Sequence, residues 1–255
     1  MEIKVIIATH KKVNLPKGGV YLPIHVGRVD KEDIGFVGDN TGDNISEKNP
    51  YYSELTSVYW AWKNLKADFI GLVHYRRFFA KRSFFGLRKR ILISDDIIKL
   101  CKRHDLILPR KRKYFIESLK THYGNTHDIR HLDEVRRIIQ HSSPTYLGHY
   151  DRVIKRRSAH MFNMFIMKRP LFNEYCHWLF SILFQLEKTI DFDKLSAFDA
   201  RLMGRVSELL MDVWIEKNEL QYKEVALLEK EAKFWVKLRK FLAAKFLNRK
   251  YKQSA

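Results

Sequence analysis

A histidine and two arginines directly follow an apolar run at residues 70 to 77, IGLVHYRR. The run predicts a buried β-strand with His74, Arg76 and Arg77 at its tip. Guanidinium groups stay charged and present a planar fork of donors that fits phosphate oxygens, so this tip suits a diphosphate. Two surface arginines paired with carboxylates are the structural alternative. Side chains alternate along a strand, so only one of His74 and Tyr75 is expected to share a cleft with Arg76.

The elements that must position this tip alternate between strands and helices. Helical spacing of apolar residues predicts a helix that begins near Ser53 and two long amphipathic helices after residue 167. The region between residues 110 and 160 predicts helical excursions over a sheet. Short apolar runs typical of buried strands lie at residues 3–8, 20–27, 68–79, 105–109 and 161–167. This alternation predicts an α/β sandwich through residue 215.

The charge balance is the largest anomaly of the composition. The chain has 48 Lys and Arg against 29 Asp and Glu, a net charge of +19, which favours a polyanionic partner: nucleic acid, anionic lipid or a phosphorylated small molecule. No run of eighteen apolar residues occurs, and Cys101 and Cys176 form neither a disulfide framework nor a thiolate zinc site. We therefore expect a cytoplasmic protein.

Residues 216–255 are predicted to form a helical basic tail that associates with membranes. Between residues 232 and 252 the tail has eight Lys or Arg and no acidic residue, with apolar side chains clustered around one side. Anionic lipid attracts such a segment by ~1 kcal/mol per basic residue near the surface. Packing on its own domain or on a second subunit is the alternative. The predicted membrane contacts are Trp235, Lys237, Arg239, Lys240, Phe241 and Lys245.

Several motifs together resemble a known family. DNTGDNISEKNPYYSELTSVYWAWKN precedes FIGLVHYRRFF, and FNMFIMKRPLFNEYCHWLFSILFQLE and RLMGRVSELL follow later. This arrangement resembles the bacterial capsular and exopolysaccharide glycosyltransferases that carry an HYRRYF-type motif after an SELT-type helix. The resemblance runs from about Lys4 to Trp214. It implies a GT-A-like nucleotide-sugar-binding sandwich with a mostly parallel central sheet, plus C-terminal amphipathic helices.

The resemblance also assigns donor-binding positions. It implies a nucleotide pocket after the first strand, a loop beside it, a helix beneath it and the strand tip described above. The residues concerned are Thr9, His10, Lys11, Asp39, Asn40, Glu54, Tyr75, Arg76 and Arg77, with His74 as a catalytic candidate. The donor implied is a UDP-sugar, with galactose or galactofuranose expected.

Arginine at the strand tip has a mechanistic consequence. Many GT-A enzymes hold a divalent metal there with an Asp-x-Asp motif, because the diphosphate leaving group must be neutralised. The one literal Asp-x-Asp, Asp191 to Asp193, joins two predicted helices and is expected to be a loop or a cap. We therefore expect metal-independent transfer without a cofactor.

An inverting transfer also needs a general base for the acceptor hydroxyl, usually a carboxylate. Asp128 and Asp133 lie in a segment expected to cover the cleft, although each equally suits a helix cap or an ion pair. Glu208 is a further candidate; it follows Arg201 by seven residues, so a salt bridge on one helix face is its plain alternative. A retaining enzyme would not need this base.

The acceptor-binding candidates are His127, His160, Asn163 and Arg201. The acceptor implied is a polyprenyl-diphosphate-linked glycan in capsule, exopolysaccharide or O-antigen synthesis, at the inner face of the plasma membrane. Two other classes remain open: a noncatalytic membrane-associated scaffold of a polysaccharide assembly complex, and a nucleic-acid-binding protein. The charge alone permits the latter, but no recognition-helix, zinc or ribonucleoprotein-type motif is present.

Overall fold

The computed structural model describes residues 1–16, 18–29, 31–82 and 88–230. The six predicted membrane contacts, from Trp235 to Lys245, lie outside the described residues, so membrane association of the tail stays a prediction. No described helix is both long enough and apolar enough to cross a membrane.

Strands and helices alternate along the described chain. The strands are β1 (Ile3–Thr9), β2 (Tyr21–His25), β3 (Val37–Gly38), β4 (Phe69–His74), β5 (Arg77–Arg82), β6 (Lys89–Ile91), β7 (Leu106–Pro109), β8 (Arg112–Lys113), β9 (Ser158–Ala159), β10 (Phe165–Lys168) and β11 (Lys223–Glu229). The helices are α1 (Asn49–Tyr52), α2 (Leu55–Asn64), α3 (Ser94–Cys101), α4 (Leu119–Thr126), α5 (Arg130–Ser142), α6 (Leu147–Val153), α7 (Arg169–Glu187) and α8 (Leu202–Lys217).

The central sheet has nine strands in the order β3-β2-β1-β4-β10-β7-β11-β5-β6. The predicted α/β class is confirmed, but the expectation of a mostly parallel sheet is wrong. Among the described strands, β3, β2, β1 and β4 are parallel, as are β7 and β11, whereas β10 runs antiparallel to both of its neighbours. The other antiparallel pairs of this sheet are β4–β5 and β5–β6, formed by strands consecutive in the chain, and β5–β11, formed by strands far apart in it.

Two apolar layers cover the sheet. The larger one packs α2, α5, α7 and α8 against one face, with fully buried side chains such as Phe172, Tyr175 and Trp214. The smaller one lies on the other face and includes Val5, Phe78 and Ile97 of α3. Burial on both faces explains why β1 and β4 read as continuous apolar runs rather than alternating ones.

Two predicted boundaries are corrected by the structure. Residues 68–79 form two strands, not one, because the chain reverses at Tyr75 and Arg76 and pairs Arg77 with His74. The predicted α/β domain does not end at residue 215, since β11 lies inside the sheet between β7 and β5. The chain from Lys223 to Glu229 is therefore a strand of the domain, not the start of a helical tail.

Candidate active site

The carboxyl ends of β1 and β4 lie side by side, because these strands are parallel neighbours. The chain turns directly after β1, where the Thr9 hydroxyl donates to the Lys11 carbonyl at 2.7 Å and accepts from the Lys11 N–H at 3.2 Å. This turn places His10 edge-on to Tyr75, with ring centroids 5.1 Å apart. The segments that follow β1 and β4, both predicted to bind the donor, therefore meet at the carboxyl ends of these strands.

Positive charge is concentrated around His10. Burial lowers the pKa of His10, and the nearby charges of Arg76, Lys11, Lys31 and Arg201 lower it further. We call these four side chains the cationic cluster. Arg201 immediately precedes α8, so the positive end of that helix dipole lies on the same side. The neutral imidazole adds no charge of its own, and the arrangement attracts an anion to the strand ends.

The two arginines of the strand tip have different surroundings. Arg76 is exposed in the turn between β4 and β5; its Nε donates to the Tyr75 hydroxyl at 2.6 Å, and its guanidinium lies 4.8 Å from that ring centroid. Arg77 Nε donates to Glu229 Oε1 at 2.9 Å, and its guanidinium lies 4.2 Å from the Phe162 ring centroid. Arg76 thus belongs to the cationic cluster, whereas β11 holds Arg77 in an ion pair.

A turn at Phe162 and Asn163 connects the strand tip to α8. Both residues have left-handed backbones, with φ of 76° and 52°, a conformation uncommon for a bulky residue and concentrated at functional sites. His74 Nε2 donates to the Phe162 carbonyl at 2.6 Å, and burial lowers the pKa of His74. Asn163 Nδ2 donates to Glu54 Oε1 at 2.7 Å and to the Gly204 carbonyl at 2.9 Å.

Glu208 lies on α8 beside this turn. Burial raises its pKa to about 8, and the like charge of Glu54 raises it as well, although Arg77, Arg112 and the backbone N–H of Phe162 act in the opposite direction. A carboxyl with this pKa changes protonation state close to neutral pH, which is the range that general acid–base catalysis requires.

Asp128 has the opposite environment. Arg130 surrounds its carboxylate, with the backbone N–H at 2.9 Å, Nε at 2.8 Å and Nη2 at 2.6 Å. Hydrogen bonds from the Arg130 side chain therefore lower the pKa of Asp128 to about 2. Asp133 accepts from Lys120 at 3.2 Å. Both aspartates occupy the structural role that the sequence left open for them, that of surface ion pairs at the start of α5.

His127 lies under an arginine of α8. Arg205 Nη1 donates to His127 Nδ1 at 2.9 Å, and the Arg205 guanidinium lies 3.9 Å from the centroid of the Phe198 ring. Burial lowers the pKa of His127 to about 3, and the charge of Arg205 contributes. The surface formed by His127, Arg205 and Phe198 is therefore half-buried and carries a neutral imidazole beside a guanidinium. Glu208 follows Arg205 by three residues on α8, so it lies on the same side of the helix.

His160 is enclosed by carboxylates, with its side chain 1% exposed. Its backbone N–H and Nδ1 contact Asp212, and its Nε2 lies 3.1 Å from Glu224 Oε1. Both ring nitrogens are occupied within the protein, so His160 connects α8 to β11 and presents no free group to an acceptor. Arg201, also predicted to bind the acceptor, is instead a member of the cationic cluster and donates to the Ser53 hydroxyl at 3.1 Å.

Asp39 is fully buried in the loop after β3. Its two oxygens accept four hydrogen bonds, from the backbone N–H groups of Gly27 and Arg28 and the hydroxyls of Ser46 and Thr56. The carboxylate therefore shapes the loop beside the cluster. Asn40 follows it on the exposed surface.

Sequence reasoning missed several residues of this region: Lys31, Phe162, Arg205 and His25. His25 ends β2 next to Thr9, is buried, and its Nδ1 lacks a hydrogen-bond partner among the described residues. His25 could have been found from the sequence, because it follows the apolar residues of a predicted strand as His74 does. No local signal marks Phe162, whose importance comes from backbone conformation and distant partners.

No described group of three or more His, Cys, Asp or Glu side chains is placed to hold a metal ion. Asp191 and Asp193 lie at a short helical turn between α7 and α8, and Asp191 pairs with Lys194 at 2.6 Å. The pair is thus a loop feature, as predicted.

Comparisons with known proteins place this geometry in context. Residues 4–219 match DUF4422, described as a domain of unknown function, and the chain belongs to that family. The fold is similar to the apo structure of the bifunctional glycosyltransferase WbbM, with a TM-score of 0.83 and 29% sequence identity over 91% of this chain. The match covers 46% of that structure, so this chain spans about half of its length. No curated protein sequence matches this chain significantly.

Proposed function

We propose that this protein is a glycosyltransferase that moves a hexosyl group from a UDP-sugar to a lipid-diphosphate-linked oligosaccharide. The proposed pathway is capsule, exopolysaccharide or O-antigen synthesis at the cytoplasmic face of the membrane, with galactose or galactofuranose as the sugar. Similarity to WbbM over most of this chain supports the reaction class. Glu54 and Glu208 form a carboxylate pair. The one observation that carries the proposal is that the cationic cluster meets this pair through Arg201, which donates to Ser53, the residue before Glu54.

The cationic cluster is the proposed diphosphate site. Arg76, Lys11, Lys31 and Arg201 act together on His10, and Arg201 also acts on His74. As the glycosidic bond breaks, negative charge develops on the diphosphate, and preorganised cations stabilise it without reorganisation. We propose that these residues perform this role without a metal ion.

The carboxylate pair is the proposed site of acceptor activation. Glu208 accepts the proton of the attacking hydroxyl, while Glu54, held by Asn163, keeps the pKa of Glu208 raised. His74 is a positioning residue in this scheme, because its Nε2 proton is used to hold the Phe162 carbonyl. His127 and Arg205 border the acceptor side.

A nucleotide-binding experiment tests the donor site. UDP in the presence of EDTA should raise the Tm of the protein, and Arg76→Ala and Arg201→Ala should each weaken binding about tenfold or more, since charge-assisted hydrogen bonds are lost. Arg137→Ala is the matched control, because Arg137 is 64% exposed and pairs with Glu134 on α5. Stabilisation that strictly requires manganese would refute the metal-independent mechanism. If the protein were a noncatalytic scaffold, UDP should not raise the Tm, and none of the three substitutions should change that result.

A further inference from the structure

The loop between β8 and α4 exposes two large apolar side chains. Phe115 is 78% exposed and Ile116 is 67% exposed, more than any other large hydrophobic residue among those the structure describes. Phe115 also has a left-handed backbone, with φ of 54°, which is uncommon for a bulky aromatic residue. Exposed apolar residues that are adjacent and at a loop tip indicate a contact surface.

The segments next to this pair are rich in basic residues, and Arg157 Nη1 donates to the Phe115 carbonyl at 3.4 Å. The loop runs beside residues 154–159, because Tyr114 N–H donates to the Arg157 carbonyl at 2.8 Å and β8 pairs with β9. Residues 110–120 and 154–159 together contain eight Lys or Arg and one acidic residue, Glu117. Two of the eight pair with carboxylates elsewhere, Lys120 with Asp133 and Arg156 with Glu216. The Glu117 carboxylate contacts His122 at 2.8 Å and Asn125 at 3.0 Å, so it is directed toward α4.

We propose that residues 110–118, which comprise β8 and its flanking segments and are called the basic–aromatic loop, insert Phe115 and Ile116 into the headgroup region of an anionic membrane. Shallow apolar insertion combined with several cations is what an anionic lipid interface recognises, and long basic side chains can direct their charges to headgroups while their stems contact apolar surface. Charge complementarity favours lipid over a second copy of this strongly basic chain.

The position of the loop relates it to the site. Arg112 and Glu208 are close enough for the charge of Arg112 to lower the pKa of Glu208. Burial raises the pKa of Tyr114, and the charge of Glu208 adds to that rise. A membrane contacting Phe115 would therefore lie beside the proposed acceptor side. This part of the inference rests on the proposed function, whereas lipid binding itself is measured without any sugar.

A fluorescent label reports insertion directly. Cys101 and Cys176 are both buried, so a Phe115→Cys variant of the full chain can be labelled selectively with an environment-sensitive dye such as NBD. We expect its emission to increase and shift to shorter wavelength with vesicles containing phosphatidylglycerol, but not with phosphatidylcholine alone. Val37→Cys is the matched control, because Val37 is 46% exposed on the edge strand β3.

Vesicle sedimentation gives a second, independent measurement. Phe115→Ser with Ile116→Ser should weaken partitioning about tenfold or more through lost apolar burial, and Lys113→Gln about fivefold. Leu15→Ser with Val37→Ser should have no effect. The proposal would be overturned if the dye at position 115 showed no change in emission while the protein still sedimented with the vesicles. Other residues would then be responsible for lipid binding. So would a change from dimer to monomer in the Phe115, Ile116 variant without any change in lipid binding.

Discussion

The regions around Glu208 and Asp128 both contain a carboxylate that the sequence offers as a general base, yet their surroundings are opposite. Glu208 lies on α8 beside a second carboxylate, Glu54, and its pKa is raised to about 8 by burial and by that charge. Asp128 lies at the start of α5 within hydrogen bonds of Arg130, which lower its pKa to about 2. Glu208 therefore exchanges its proton near neutral pH, whereas Asp128 stays ionised there.

The difference shows that residue type alone does not define a catalytic group. A carboxylate with a pKa near 2 is a weak base, because it holds a proton poorly, whereas the deprotonated form of one with a pKa near 8 accepts a proton readily. Neighbours that come from distant parts of the chain make this difference. Glu54 precedes Glu208 by more than 150 residues, whereas Arg130 is two residues from Asp128.

Substituting the two carboxylates gives the largest expected effect. Glu208→Gln should lower kcat about 10²- to 10⁴-fold, because the acceptor hydroxyl loses its base, while Asp128→Asn should change kcat less than about threefold. The rate of sugar transfer to a water-soluble acceptor measures both, with folding checked by thermal unfolding. The comparison fails if the Asp128 variant is the inactive one.

Changing the neighbours of Glu208 should shift its titration in opposite directions. The base acts when deprotonated, so kcat/KM should rise with pH through the pKa of Glu208. Glu54→Gln removes the like charge and should move this limb to lower pH, whereas Arg112→Gln removes a cation and should move it to higher pH, each by about one pH unit or less. The pH profile of kcat/KM measures both. Shifts of the same sign would contradict the assignment.

The smallest effect is expected from a substitution next to Asp128. Arg130→Gln should let the pKa of Asp128 return toward its ordinary value of about 3.9, which leaves it ionised at neutral pH. Because an exposed ion pair contributes little, Tm should fall by less than about 2 °C and kcat should stay within about twofold of the original value. A large loss of activity would reveal a role for this segment that its geometry does not indicate.

Local patterns were sufficient for much of the fold. The apolar run of β1, the helix that begins after Ser53 and the amphipathic stripes of α7 and α8 follow from periodicity, since each buries one face or both. The hairpin at Tyr75 and Arg76 was missed because no Gly, Asn or Pro marks it. The place of β11 was missed because strand order depends on pairing between residues far apart in the chain.

Some positions of the candidate site could likewise be predicted from local patterns, and others could not. The strand-end positions of His10, His74 and Arg76 follow from where polar residues succeed an apolar run. His160 and Asp39 were predicted to touch substrate, but their partners are inside the protein. A buried polar side chain and a ligand contact look alike in sequence, because both require hydrogen-bonding residues near strand ends.

By itself, the sequence determined the α/β class, the basic character of the chain and the presence of arginine at the end of β4, because each depends on residue type and short-range spacing. Only the tertiary structure decided that Arg76 joins Lys31 and Arg201 while Arg77 pairs with Glu229, and that Glu208 lies beside Glu54. Electrostatic interactions depend on distance in space and on exclusion of water, and neither is written in the order of residues.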